Sequence, residues 1–234
     1  MTPLADTERY KNHRFPSEII SHGVWLYYRF TLSYRDVQEL LFERGVTVSH
    51  EAMRQWCRKF GQDDANRLRR RPQPGDKWHL DEGFFTINDE RHYLWRAVDQ
   101  DDNVLDILVQ RRRNKQAAKK FFRKPLKGLP YVPRVIITDK LKNYGAAKRE
   151  ILPGVEHRQN RYLNNRCENS PRPTRQREYH MQGFKSPGHA QRFLSAHGPI
   201  AQHFRPRRHL LSASNYRQEM RKRFESWAEM TGTK

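Results

Sequence analysis

The sequence predicts a mixed α/β chain, α+β in the order of its elements, with a helical N-terminal region followed by a sheet domain. Three observations predict it. Apolar residues recur at three- and four-residue spacing through the first quarter of the chain. From Lys77 onward, aromatic and β-branched runs are separated by turns rich in Asn and Asp, the pattern of strands. Further on, helical and extended segments alternate. The expected boundaries are a helical region over 1–61, a basic and proline-containing linker over 62–76, a sheet domain over 77–204 and a basic helical tail over 205–234.

Pro16 opens the first helix, in which Ile19, Ile20, Val24, Trp25 and Tyr28 share a face. Ser33-Tyr34-Arg35-Asp36 spells a capping box for a second helix, with Val37, Leu40 and Leu41 inward. Gly45 suits the left-handed conformation that ends a helix. Ser49 caps a third helix, His50 to Phe60, whose inward residues are Met53, Trp56, Cys57 and Phe60. Helix, short glycine-containing turn and helix make a helix-turn-helix, and the preceding helix completes its core. Its outward side chains are His50, Glu51, Arg54, Gln55 and Arg58. Arg and Gln can make paired hydrogen bonds to guanine and adenine edges. A small bundle with an idle polar face is the plainer alternative.

Arg67, Arg69, Arg70 and Arg71 lead into Pro72-Gln73-Pro74-Gly75, which reads as the linker. Trp78, Leu80, Phe84, Phe85 and Ile87 then give a strand with Asp81 in its middle, where a carboxylate is costly unless something compensates it. Asn88-Asp89-Glu90 is a turn, Tyr93 to Val98 a second strand, and Val104 to Val109 a third, beyond another turn over 100–103. Asp99, Asp101, Asp102 and Asp106 are read as turn residues. A helix over 114–124 buries Ala117, Ala118, Phe121 and Phe122 and is stopped by Pro125. A strand from Val132 to Thr138 runs into Asp139, followed by a short helix over 141–150 and a short strand over 155–157. Three antiparallel strands and then helix-strand alternation is the order of a ribonuclease-H-like core, although periodicity alone supports only mixed α/β. Phe193 and Leu194 lie on a helix that His197-Gly198-Pro199 would end. Tyr216, Met220, Phe224 and Trp227 form a later helical stripe, read as core packing rather than a dimer surface.

Lys and Arg outnumber Asp and Glu 46 to 26, a formal net charge of +20. Such a surplus points to a polyanion, because phosphate contacts release counterions and supply most non-specific affinity. No membrane partner is expected, since no window approaches the roughly 18 apolar residues of a spanning helix. The N-terminus lacks an apolar export core. Cys57 and Cys167 are too few for a disulfide framework or zinc finger, and a reducing, cytosolic setting follows.

Against that basic background, Asp81, Asp139 and Glu168 stand out. Two or three carboxylates suffice for Mg²⁺, with Mn²⁺ as a substitute, because such ions keep several waters. Two ions can activate the attacking oxygen and stabilise the leaving one in a displacement at phosphorus.

His79-Leu80-Asp81-Glu82, Tyr93-Leu94-Trp95-Arg96-Ala97-Val98-Asp99, Ile137-Thr138-Asp139-Lys140, Val155-Glu156-His157-Arg158-Gln159 and Asn164-Asn165-Arg166-Cys167-Glu168-Asn169 resemble the bacterial insertion-sequence-six transposases. The resemblance covers nearly the whole chain, including Ser33-Tyr34-Arg35-Asp36-Val37. It implies a DDE transposase with Asp81, Asp139 and Glu168 as metal ligands. Its expected partners are the element's terminal inverted repeats and target DNA, in the nucleoid of a bacterial cytoplasm. The expected reaction frees 3′ ends and joins them to target DNA, commonly giving cointegrates. Acting on two DNA ends implies a homodimer or larger assembly. Arg175 lies seven residues past Glu168, where such enzymes carry Lys or Arg, and would hold a phosphate.

The chain departs from the pattern in two ways. The Asp139–Glu168 gap is short, and Pro171 and Pro173 follow Glu168 closely, so Glu168 precedes its helix or the helix is kinked. Glu178 is a substitute ligand of lower rank. The competing functions are a non-catalytic helix-turn-helix regulator or inactive copy, and a structure-specific nuclease.

Overall fold

The computed structural model describes residues 9–70, 75–101, 103–128, 132–138, 142–159, 171–206 and 210–233. The chain divides into two compact units, Met1–Leu68 with Ala196–Lys234, and Arg69–Ser195.

In the first unit, α1 (Ser17–Arg29), α2 (Tyr34–Phe42) and α3 (from His50) follow the expected order. The capping box forms: Asp36 N–H donates to Ser33 Oγ at 3.1 Å and Ser33 N–H to the Asp36 carboxylate at 2.7 Å. Gly45 takes a φ of 77°, the left-handed value that a Cβ would strain. Ser49 Oγ accepts from Ala52 N–H at 3.2 Å, capping α3. Two helical glycines permit close approach of α1 and α3. A Cβ on Gly23 would lie 2.7 Å from Met53 Cε, and one on Gly61 would lie 2.5 Å from the Tyr28 ring. That ring is buried, and its hydroxyl donates to the Cys57 carbonyl at 3.2 Å.

α3 continues to Arg70, so residues 62–70 are helical where the sequence suggested a linker. Burial explains the extension: Asp64 and Ala65 are inaccessible, and Arg67 Nη1 donates to the Met230 carbonyl at 2.7 Å. Met230 belongs to α8 (Ala213–Thr231). The tail is therefore a packed element of the first unit. Trp227 is buried and donates from Nε1 to Ser21 Oγ at 2.8 Å, whereas Phe224 remains partly exposed. The stripe packs chiefly through its C-terminal end.

The second unit is built on a five-stranded sheet. Its strands are β1 (Lys77–Ile87), β2 (Glu90–Asp99), β3 (Val104–Gln110), β4 (Val135–Thr138) and β5 (Glu156–Gln159), in the order β3-β2-β1-β4-β5. β1–β2 and β2–β3 are antiparallel, and β1–β4 and β4–β5 are parallel. An antiparallel meander joined through its first strand to two parallel strands is the ribonuclease-H-like arrangement. Asn88 and Asp89 both have positive φ, the two-residue turn whose twist suits a hairpin.

α4 (Lys115–Gly128) and α5 (Lys142–Ile151) share one buried cluster with the sheet, containing Trp78, Leu80, Trp95, Phe121, Phe122, Ile136 and Tyr144. α6 (Pro171–His180) and α7 (from Pro187) complete the unit. On the other face of the sheet, Phe85 meets Phe184 with ring centroids 5.4 Å apart, and Phe184 meets Phe193 of α7 at 5.9 Å. α7 also closes the sheet edge. Gln191 Oε1 accepts from Val109 N–H at 2.8 Å and its Nε2 donates to the Ile107 carbonyl at 2.9 Å, satisfying the outward backbone groups of β3.

Three proline readings are corrected. α4 runs through Pro125 to Gly128, with Pro125 itself buried. α7 runs through Pro199 to His203, because Ile200 and Ala201 beyond it are buried. In both, burial outweighs the lost backbone bond. β4 begins at Val135 rather than Val132, since Pro133 offers no ladder donor. Among the described residues no helix is long and apolar enough to cross a membrane.

Candidate active site and nucleic-acid interface

β1 and β4 are the central pair of the sheet, and Asp81 lies where their pairing ends. The register runs from Lys77 beside Val135 to Leu80 beside Thr138, and Asp81 follows on β1. Alternation puts Trp78 and Leu80 on the helix-covered face and His79 and Asp81 on the other. His79 is buried and Asp81 half-buried. Asp81 is thus a carboxylate on the central strand with partial access to solvent.

Arg96 of β2 stands opposite Asp81 in the antiparallel register and is buried. Directly opposed residues share a face, with Cβ atoms about 4.5–5.5 Å apart. A cation at that position offsets part of the cost of embedding Asp81. Arg96 was missed from sequence, although a signal existed. The turn at Asn88-Asp89 pairs Ile87 with Glu90, and counting back equally on both strands reaches Asp81 and Arg96.

Glu82 takes the opposite face and pairs with Arg113, its side chain almost fully buried. Asp99 serves the β2–β3 turn, accepting from the backbone N–H groups of Asp101 and Asn103, each at 2.8 Å. Asp106 lies in β3 rather than in a turn, and its carboxylate accepts from Lys124 Nζ at 2.7 Å. Each of these acids therefore has a structural task. Asp102, Asp139, Cys167 and Glu168 lie outside the described residues. Thr138, the residue before Asp139, is fully buried, its hydroxyl 2.9 Å from His157 Nε2. Among the described residues no group of three or more His, Cys, Asp or Glu could hold a metal, and Asp81 is the one expected ligand they include.

α6 settles where the prolines fall. It begins at Pro171, so Pro171 and Pro173 occupy its first turn, where backbone N–H groups have no helical partner. Arg175 is exposed on this helix. Glu178 is half-buried, and burial raises its carboxyl pKa against the pull of Arg175. Arg177 is buried over the Phe193 ring, 5.6 Å from its centroid, and pins α6 inward.

His50, Arg54, Gln55 and Arg58 are all exposed on α3. Glu51 engages two of them: Arg54 donates to its carboxylate at 2.7 and 2.6 Å, and Gln55 Nε2 at 3.3 Å. The Arg54 and Gln55 contacts hold the Glu51 carboxyl at about 2. Exposed pairs of this kind are weak, so the donors can be exchanged for another acceptor. His50 N–H donates to Gln38 Oε1 at 2.8 Å, fixing the start of α3 against α2.

Residues 75–207, more than half of the chain, match the family model of a DDE domain. The chain belongs to the insertion-sequence-six family of DDE transposases. Within that family, it is 29% identical over 184 residues to the Staphylococcus aureus transposase for insertion sequence-like element IS431mec, covering 76% of this chain and 81% of that one. It is 28% identical over the same length to the Staphylococcus aureus transposase for insertion sequence element IS257 in transposon Tn4003. Among solved structures it is similar to the catalytic domain of Mos1 mariner transposase, with 12% identity over 75% of this chain and 92% of that one, at a TM-score of 0.43. It is also similar to the HTLV-2 integrase catalytic core domain in its dimeric form, with 11% identity over 64% and 85% of the two chains, at a TM-score of 0.36. The stretch of the transposase matched by the DDE model contains Asp81, Asp139, Glu168 and Arg175, and excludes α1 to α3.

Proposed function

We propose that this transposase binds the terminal inverted repeats of its element, frees their 3′ ends and joins them to target DNA in a reaction dependent on divalent metal, with cointegrates as the product. The observation supporting this most is the placement of Asp81. A half-buried carboxylate on the central strand, with a buried arginine opposite to offset part of its cost and some access left to solvent, suits a metal site. Leu80 and Thr138 are register partners, and in the sequence Asp81 follows the one and Asp139 the other. An oxygen donor there suits a hard cation.

In this reading Asp81, Asp139 and Glu168 hold Mg²⁺, or Mn²⁺ in its place, which would activate the attacking oxygen and stabilise the leaving one. Arg96 positions the Asp81 carboxylate, and Arg175 holds a phosphate of the bound strand. Water attacks first and the freed 3′-hydroxyl second, with no covalent link to the protein. α2, its turn and α3 act as the helix-turn-helix, with Arg54 and Gln55 leaving Glu51 to read base edges while His50 and Arg58 support them. Work on two DNA ends calls for a homodimer or larger assembly, in the nucleoid of a bacterial cytoplasm.

The test is incubation of the purified chain with labelled element ends, a target plasmid and Mg²⁺. Joined product is expected. Hydrolysis without joining would make the protein a nuclease, and binding without either would leave a regulator or an inactive copy.

A further inference from the structure

Tyr179 is 82% exposed, more than any other large apolar or aromatic side chain among the described residues. It borders a recess of about 690 Å³ lined by Arg175, Glu178, Tyr179, His180, Gln182 and Gly183. The geometry points to this recess as a binding site for an unpaired nucleotide of a DNA strand, with the base stacked on Tyr179 and its phosphate on Arg175. This rests on the DNA-processing function proposed above and adds a site to it.

The recess is held by a fixed frame. Arg177 and Phe193 pin the inner side of α6, and Phe184, just past the helix, is buried against Phe85. The helix end is closed by Gly183 N–H donating to the Glu178 carbonyl and Gln182 N–H to the Tyr179 carbonyl, each at 3.0 Å. Gln182 and Gly183 both take positive φ, turning the chain back beside the helix. Tyr179 is therefore presented outward from a braced element, with the His180 ring near perpendicular to its own, centroids 5.8 Å apart.

Arg175 and Tyr179 are four residues apart on α6 and share a face. A cation beside an exposed aromatic ring matches a nucleotide, whose phosphate and base present a charge and a π-face together. A base inside a duplex has both faces covered by its stacked neighbours, so the site favours an unpaired one. Glu178 disfavours a phosphate directly over it but can accept from a base amino group, which orders the ligand as phosphate toward Arg175 and base toward Tyr179.

The experiment uses the full chain in EDTA, where no strand is cut. It compares a short duplex bearing an unpaired 3′ overhang that contains 2-aminopurine with the same duplex blunt-ended. Wild type should prefer the overhang and quench its 2-aminopurine fluorescence. Tyr179→Ala should lose the quench and bind the overhang roughly 5- to 160-fold more weakly, the range for one base–aromatic stack. Its blunt-duplex affinity should be unchanged, and Tyr179→Trp should restore both signals. Because Tyr179 is exposed, the Ala variant should melt as wild type does. Equal behaviour of wild type and Tyr179→Ala on the overhang, or equal losses on both probes, would overturn the site while leaving DNA binding standing. Absence of wild-type binding to either probe would overturn the site and the function beneath it.

Discussion

At the scale of single residues, Asp81 and Arg175, both assigned to the proposed site, are held very differently. Asp81 sits on the central strand with Arg96 opposite, so its position is fixed by the sheet. Arg175 sits exposed on α6 beside Glu178, so the fold does not bury its side chain. Arg175→Ala should therefore leave the fold intact and slow strand joining roughly 10- to 100-fold, the worth of one charge-assisted contact. Arg175→Lys should recover much of the loss, as gel-resolved joining rates would show. Equal rates for wild type and Arg175→Ala would remove it from the site. The sequence could flag the Asp81-Glu82 pair because a carboxylate in an apolar strand is expensive, and the family resemblance points to Asp81. Strand patterning by itself does not separate Asp81 from Glu82, which differ in the face they take and in the Arg113 that meets Glu82. Asp106 was likewise misplaced, because its Lys124 partner lies on another element.

At the scale of elements, local chemistry was legible and tertiary burial was not. Caps at Ser33 and Ser49, the hairpin turn and the five strands follow from short-range rules, and all are present. The prolines at 125 and 199 were read as helix ends because their partners across the fold are invisible in a local window. The same reason hid the extension of α3 to Arg70. Gly61 supplies a test of packing between α1 and α3. Gly61→Ala gains helix propensity of about 1 kcal/mol but drives a methyl into the buried Tyr28 ring, 2.5 Å away. Overpacking should win, with a net loss of about 1–3 kcal/mol in denaturant unfolding; a stabilised variant would contradict the close approach. Asp64 on α3 gives a pH signature. Burial raises its carboxyl from 3.8 to about 6, against the pull of Arg9. The folded state then keeps a proton that the unfolded chain releases, so this contribution is full below about pH 4 and is lost as pH rises through 6. The unfolding free energy of wild type should fall across that window relative to Asp64→Asn, and parallel pH profiles would refute the shift.

For the whole molecule, a net charge of +20 is the dominant fact. It should make DNA affinity fall steeply with salt, by at least about tenfold between roughly 50 and 200 mM, because counterion release scales with phosphate contacts. A flat salt dependence would mean that the charge serves something other than DNA. In the proposed reaction, a carboxylate such as Asp81 would need a cation to work beside a phosphate. The direct measurement is strand joining by Asp81→Cys in Mg²⁺ and in Mn²⁺. A thiolate is a poor ligand for Mg²⁺ and a better one for Mn²⁺. The variant should be inactive in Mg²⁺ and regain joining in Mn²⁺, whereas wild-type rates in Mg²⁺ would show that Asp81 holds no metal.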